Sequence, residues 1–329
     1  MLIRSRVPWV LALLVFLSGA SLATALAVGS QTIPLSEVIA ALRGRVTPHA
    51  AIVLELRLPR ALAGFAVGGL LALAGCLMQV LLRNPLADPY VLGVSGGAGV
   101  GALLAMLLGL AGLFIPFLAF AGGLMAMLLV FGLAHGEGGW TQTRLLLTGV
   151  VVAAGCGALI ALILTLAPEQ KVHGMLFWLM GDLSQAGSAT PALVLLAVSL
   201  GVILPYAREL NVLARGAEQA AALGVVVPAV RRLVYFVASL ATAGAVTSAG
   251  SIGFVGLIVP HLMRLAIGPK MGNDQRLLLP AATLAGGGLL VLADTAARTV
   301  VAPMQLPVGV LTALIGVPVF LYLLSRGRP

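Results

Sequence analysis

Long apolar runs recur from one end of this chain to the other. A helix needs about 20 apolar residues to cross the hydrocarbon core of a bilayer. Ten stretches are read as such spans: 9–28, 61–82, 91–108, 112–134, 145–166, 191–206, 232–250, 253–267, 278–297 and 307–324. Inside hydrocarbon every backbone polar group must be satisfied within the segment, which favours helices. The pattern therefore predicts an all-α membrane protein of ten transmembrane helices. The shortest stretch, 253–267, contains Gly253, Gly256 and Pro260, and is expected to be broken or re-entrant. No linker separates soluble domains, so residues 1–329 read as a single polytopic domain.

Composition narrows the function classes. Charged residues make up 9% of the chain and its mean hydropathy is +1.13, against about 25% charge in a soluble domain. Soluble enzymes, disordered proteins and nucleic-acid binders are excluded; the expected surroundings are lipid. The net charge of +9 comes from 19 basic residues spread over 329 positions. Cys76 and Cys156 lie within apolar runs and read as packing residues. With no CxxC or HExxH spacing, neither a metal site nor a cofactor is expected. The 41 glycines suit closely packed membrane helices.

Arginine and lysine set the orientation. With the N-terminus inside, Arg4, Arg6, Arg83, Arg144, Arg208, Arg215, Arg231, Arg232, Arg264, Lys270, Arg276, Arg326 and Arg328 face the cytoplasm, thirteen in all. Arg43, Arg45, Arg57, Arg60, Lys171 and Arg298, six in all, face outward. Both termini are thus expected to be cytoplasmic. The first 28 residues also have the look of a secretory signal, ending in Ala25-Leu26-Ala27. Their apolar stretch is long for a signal, which favours a retained anchor.

Three segments should lie between spans. In residues 29–60, Leu35, Val38, Ile39 and Leu42 at helical spacing predict a short surface helix. A second outer segment, 167–190, carries Met175, Phe177, Trp178 and Met180. The longest inner connection, 207–230, includes a helix-favouring run at 217–223 between Gly216 and Gly224. Two short amphipathic helices there would fit a groove on a soluble partner.

The chemistry-bearing residues are few. No GxxxxGK[ST] is present and the only lysines are Lys171 and Lys270, so the chain should not hydrolyse ATP by itself. Every Asp and Glu falls near a predicted helix end, an argument against ion-coupled transport, which usually needs an acid or base at depth. Asp294 is the deepest, and Arg298 follows at i,i+4. Arg57 and Arg60, around Pro59, run against the positive-inside tendency. They either snorkel to lipid phosphates or bind an acidic partner. The inner turn Arg83-Asn84-Pro85-Leu86-Ala87-Asp88-Pro89 ends one helix and sets up the next, in which Gly93, Gly97 and Gly101 form a smooth packing face.

Taken together, these stretches resemble the permease subunits of the bacterial iron-siderophore, haem and vitamin B12 importers, the type II ABC importers. The resemblance runs over nearly the whole chain. It rests on Arg57-Leu58-Pro59-Arg60, Gly75 to Gln79, Arg83 to Pro89, Leu92 to Ala98, Arg144 to Gly149, Gly253 to His261 and Leu306 to Gly309. It implies a vitamin B12 importer-permease-like fold, a second permease copy as a homodimer or paired permease, two cytoplasmic ATP-binding subunits and an extracytoplasmic substrate-binding protein.

By the same resemblance, Arg57, Arg60 and Arg298 match positions that dock the binding protein. Arg208, Asn211, Leu213, Gly216, Glu218, Ala220, Leu223 and Gly224 match the segment that couples to the ATPase. Thr141, Gln142 and Thr143 fall where the family narrows its inner gate. The pathway itself should be largely apolar. Met175, Phe177, Trp178 and Met180 could line its outer end, although packing is the commoner role for each singly. The chain departs from the family pattern at Glu218, one position later than the usual acid, at Gln275, where His is frequent, and at Gln305, where Glu is frequent. Two other classes fit less well: an ion-coupled secondary transporter and an intramembrane enzyme. The sequence shows neither a clear inverted repeat nor a catalytic set.

Overall fold

The computed structural model describes residues 7–134, 141–184, 187–268 and 271–325. Of the residues used to set the orientation, Arg4, Arg6, Lys270, Arg326 and Arg328 lie outside them. The helices are α1 (Val7–Ala27), α2 (Leu35–Leu42), α3 (Leu58–Leu81), α4 (Val94–Leu107), α5 (Phe114–Ala134), α6 (Gln142–Leu166), α7 (Glu169–Met180), α8 (Thr190–Ile203), α9 (Ala207–Leu213), α10 (Ala217–Ala222), α11 (Val227–Ala249), α12 (Val255–Ile267), α13 (Gln275–Thr299) and α14 (Val308–Ser325). Among the described residues, seven helical stretches are long and apolar enough to cross a membrane, and α4, α12 and α14 are shorter apolar helices. Each of the ten expected spans coincides with one of these.

The central helix is α3, buried along almost its whole length and packed against α13, α11, α12 and α8. Its small residues make this possible. A Cβ on Gly68 would collide with the carbonyl of Gly286 on α13, and one on Gly75 with the carbonyl of Gly256 on α12. The second contact has a covalent origin. Pro260 has no N–H to offer the carbonyl four residues back, that of Gly256, and this oxygen is the one that Gly75 accommodates. On the other side of the bundle Gly97 and Gly101 bring α4 against Gly122 and Leu118 of α5. Gly93, expected on the same face, instead meets α6 at Val152 and Ala153.

Two expected boundaries move. The outer segment turns helical before residue 60: one π-helical turn, Ile52–Arg57, runs directly into α3. Pro59 explains the wide turn, because its ring crowds the carbonyl four residues back and it donates no hydrogen bond. The 253–267 stretch is helical only from Val255, continuously through Pro260, and at 13 residues this helix spans only about 20 Å. Its first half is buried, and residues 250–254 before it are non-helical. The short helix expected within 29–60 is α2, which turns Val38 and Ala41 inward to meet Ile33, Val53 and Leu26. α1 packs along α13, with the Ser18 hydroxyl donating to the Leu284 carbonyl at 3.1 Å.

Candidate functional site

At the predicted outer end, three arginines gather around one carboxylate. The last turns of α13 bring Asp294 and Arg298 onto one face, and the first turn of α3 brings Arg60 against them. Arg60 grips Asp294 with a fork: Nη2 donates to Oδ1 at 2.8 Å and Nε to Oδ2 at 2.9 Å. Arg298 Nε stands 3.3 Å from Asp294 Oδ2, an ion pair without hydrogen-bond alignment. Its Nη2 donates to the Ala25 carbonyl at 3.2 Å. The Asp294 side chain is 4% exposed, that of Arg60 13% and that of Arg298 10%. The i,i+4 pair foreseen from sequence is present, and Arg60 joins it from a distant helix.

Arg57 differs from the exposed rim that sequence suggested. It is 6% exposed, and Nη1 donates to the carbonyls of Leu26 at 2.7 Å and Ala27 at 3.0 Å, while Nη2 donates to that of Gln31 at 2.5 Å. The first two are carbonyls freed where α1 ends, and Gln31 lies in the loop just after it. Gly29 makes room, since a Cβ there would lie 2.6 Å from Arg57 Nη2. Arg57 therefore ties α1 to the π turn with donors already engaged. It remains close enough to interact electrostatically with Arg298, so the cluster holds three guanidiniums against one carboxylate. Gln305, exposed at its edge, accepts from Arg60 Nη1 at 2.9 Å.

Next to this cluster lies an outer cavity of about 330 Å³, lined by His173, Gly174, Phe177, Asp182, Ser184 and Gln305. Of the four expected pathway residues, only Phe177 lines it, stacked on His173 with ring centroids 4.7 Å apart. Met175 is a correction: it is 0% exposed, packed among Ala98, Ala102, Leu103 and Val246. The reason is helical spacing, since two residues along α7 turn a side chain to the opposite face. Trp178 and Met180 are half-buried, and their backbone carbonyls press on Gly250 and Gly309.

At the opposite end, residues 207–224 fold as two short helices, α9 and α10, broken at Gly216 (φ +139°) and followed by Gly224 (φ +82°). Their two faces do different things. Leu213, Gly216 and Ala220 are buried against the bundle, while Arg208, Glu218, Leu223 and Gly224 are exposed, Leu223 at 71%. Leu213 and Ala220 thus anchor the segment rather than offer a surface, which corrects the expectation for both. Asn211 fastens it to α13. Its Nδ2 donates to Asp274 Oδ1 at 2.8 Å, and its Oδ1 accepts from the Gln275 backbone N–H at 2.7 Å. Asp274 caps α13 and pairs with Arg276, whose Nη2 lies 2.8 Å from Oδ2. Burial pushes the Asp274 carboxyl up, but hydrogen bonds from Arg276 and Asn211 outweigh it and hold the group below its ordinary value. Sequence reading overlooked Asp274. An Asp just before an apolar helix is a capping signal, but only the fold reveals Asn211 as its partner.

The start of α6 lies at this same end. Thr141 caps it, with Oγ1 accepting from the Arg144 N–H at 3.2 Å. Thr143 is exposed, and Gln142 donates from Nε2 to the Leu81 carbonyl at the end of α3, 2.9 Å away.

With this geometry in hand, the comparisons with known proteins agree. The sequence profile of the FecCD transport family matches residues 9–326. The chain is 46% identical over 276 residues to the cobalamin import system permease protein BtuC of Halobacterium salinarum, covering 83% of this chain and 73% of that protein. It is 41% identical over 285 residues to the hemin transport system permease protein HmuU of Yersinia pestis, covering 84% and 83%. A solved inward-facing conformation of a metal-chelate type ABC transporter superposes with a TM-score of 0.84 at 30% identity, covering 98% of this chain and 100% of that one.

Proposed function

This chain belongs to the FecCD transport family and is one of its multi-pass membrane permeases; from that premise we propose that it imports a bulky metal chelate by alternating access. The ligand class is a ferric siderophore, haem or a cobalamin. The ATP is hydrolysed by two cytoplasmic ATP-binding subunits, and an extracytoplasmic binding protein delivers the chelate. Both termini face the cytoplasm of a bacterial inner membrane, and residues 1–329 act as one membrane domain. Family membership sets aside the ion-coupled secondary transporter.

One observation carries the coupling half of this reading. A double-helical segment is clamped to α13 through Asn211 and turns Leu223 outward, as a soluble partner's groove would require. At the other end the arginine cluster supports docking. Its surplus of positive charge would attract an acidic partner even with Arg57 engaged internally, so Arg60 and Arg298 carry the contact and Arg57 braces them. The gate lies at Thr141, Gln142 and Thr143, and Phe177 with Trp178 and Met180 borders the outer mouth. A second copy of the chain completes the pathway. α6 presents Gly155 and Gly157 with open space before them, the small-residue surface that close helix approach favours.

Reconstitution tests the reading. The chain is placed in proteoliposomes with its ATP-binding subunits and binding protein, and uptake of cyanocobalamin, hemin and ferric siderophore is measured. Uptake of one of these that needs ATP, with no ATPase activity from the chain alone, is expected. Accumulation driven by an ion gradient without ATP would refute it.

A further inference from the structure

The residue that closes α3 is unusual for its place. The Asn84 N–H bonds back to the Gln79 carbonyl at 3.1 Å and the Arg83 N–H to that of Val80 at 3.3 Å. This is the pattern of a helix end whose closing residue is left-handed, a position normally given to glycine. Here it is Arg83, with φ +47°. An L side chain in that conformation costs about 1 kcal/mol, and isolated backbone outliers of this kind point toward function.

The guanidinium shows what the side chain does. Nε and Nη2 both donate to Gln142 Oε1, at 3.3 and 3.1 Å. Nη1 lies 3.4 Å from where a Cβ on Gly216 would stand, so the break between α9 and α10 sits beside the same group. It is held there beside the like-charged Arg231 of α11. One side chain thus spans the end of α3, the start of α6 and the hinge of the coupling segment.

We propose that Arg83 is a positioning residue linking the coupling segment to the gate, so that displacement of Gly216 is passed through the guanidinium to Gln142 and the first turn of α6. The inference rests on the reading of the chain as an ATP-driven permease. It explains why a non-glycine residue occupies a glycine conformation at this turn: the backbone cost is offset by a contact that needs a long side chain ending in donors. Gly216 itself is required by its backbone, whose φ of +139° a residue with a Cβ rarely adopts.

The test uses Thr143→Cys at the exposed start of α6, with Cys76→Ala and Cys156→Ala, in the complex with its ATP-binding subunits in nanodiscs. The readout is the ratio of N-ethylmaleimide labelling rates with and without ATP plus vanadate. In the parent the ratio departs from unity; a parent ratio of unity would instead refute the ATP-driven gate itself. Arg83→Gly should assemble normally and melt no lower than the parent, because glycine suits the backbone, yet its nucleotide-dependent change in labelling should shrink by about fivefold, the loss of one modest hydrogen bond. Arg83→Lys, which keeps the charge and donors on a single nitrogen but loses the fork, should recover part of the response. A parental response in Arg83→Gly, a lower melting midpoint in that variant, or a Lys variant no better than the Gly variant would overturn the proposal.

Discussion

Arg57 and Gln305 show how two polar residues at one end of a bundle can have separate roles. Arg57 was expected to face outward, yet its donors are taken by carbonyls at the end of α1 and in the loop just after it. Truncating it leaves buried carbonyl acceptors unpaired, which costs about 1–3 kcal/mol. Arg57→Ala should therefore lower the detergent melting midpoint by several degrees. Gln305 is exposed and tolerates change. Gln305→Glu adds a carboxylate beside Arg60 and reduces the positive surplus of the cluster. It should leave the melting midpoint near the parent but weaken binding-protein association several-fold at low salt, with the difference fading at high salt. Calorimetry and surface-binding kinetics in nanodiscs separate the two. If Arg57→Ala melted normally and lost docking alone, Arg57 would be a contact residue after all.

At the scale of elements, the junction of α9 with α13 should be sensitive to acid. Asp274 is held below its ordinary value chiefly because donors from Arg276 and Asn211 outweigh the effect of burial. A carboxylate with a folded value below its unfolded one stabilises fully above the unfolded value, about 3.9, and loses that stabilisation as pH falls through the folded value. The side chain is 34% exposed, so solvent screening limits the effect to under about 1 kcal/mol. Asp274→Asn should melt below the parent at neutral pH, and the gap should close as pH falls below about 4. Scanning fluorimetry at stepped pH checks this; a gap that stays constant into acid would remove the ionised carboxylate from the junction.

For the whole assembly, what matters is which face of α10 is turned outward. Ala220 is buried against the bundle, whereas Leu223 projects with 71% of its surface exposed. A charge at Ala220 would dislodge the segment from its own protein, so it cannot test a partner contact cleanly. Leu223→Asp can. It should leave membrane insertion and the melting midpoint of the isolated chain unchanged while reducing co-purification of the ATP-binding subunits by about tenfold, the effect of losing one buried apolar anchor at an interface. Undiminished assembly with Leu223→Asp would move the contact away from this face.

The ten spans, the breaks at Gly216 and Gly224, the anomalous arginines and the Asp294–Arg298 pair were legible in the sequence. Each depends on local composition or on helical spacing, and those are properties of consecutive residues. What the tertiary structure decided depends on which distant residues meet. Met175 and Phe177 are two positions apart, but only the packing of α7 on α4 determines that the first is core and the second lines a cavity. Arg57 reads as an outward arginine until the π turn before Pro59 rotates it onto the end of α1. Asn211 and Asp274 are separated by 63 residues, and Arg83 and Gln142 by 59. No local pattern encodes such pairs, because their energy exists only once the glycines of α3 let α12 and α13 close around it.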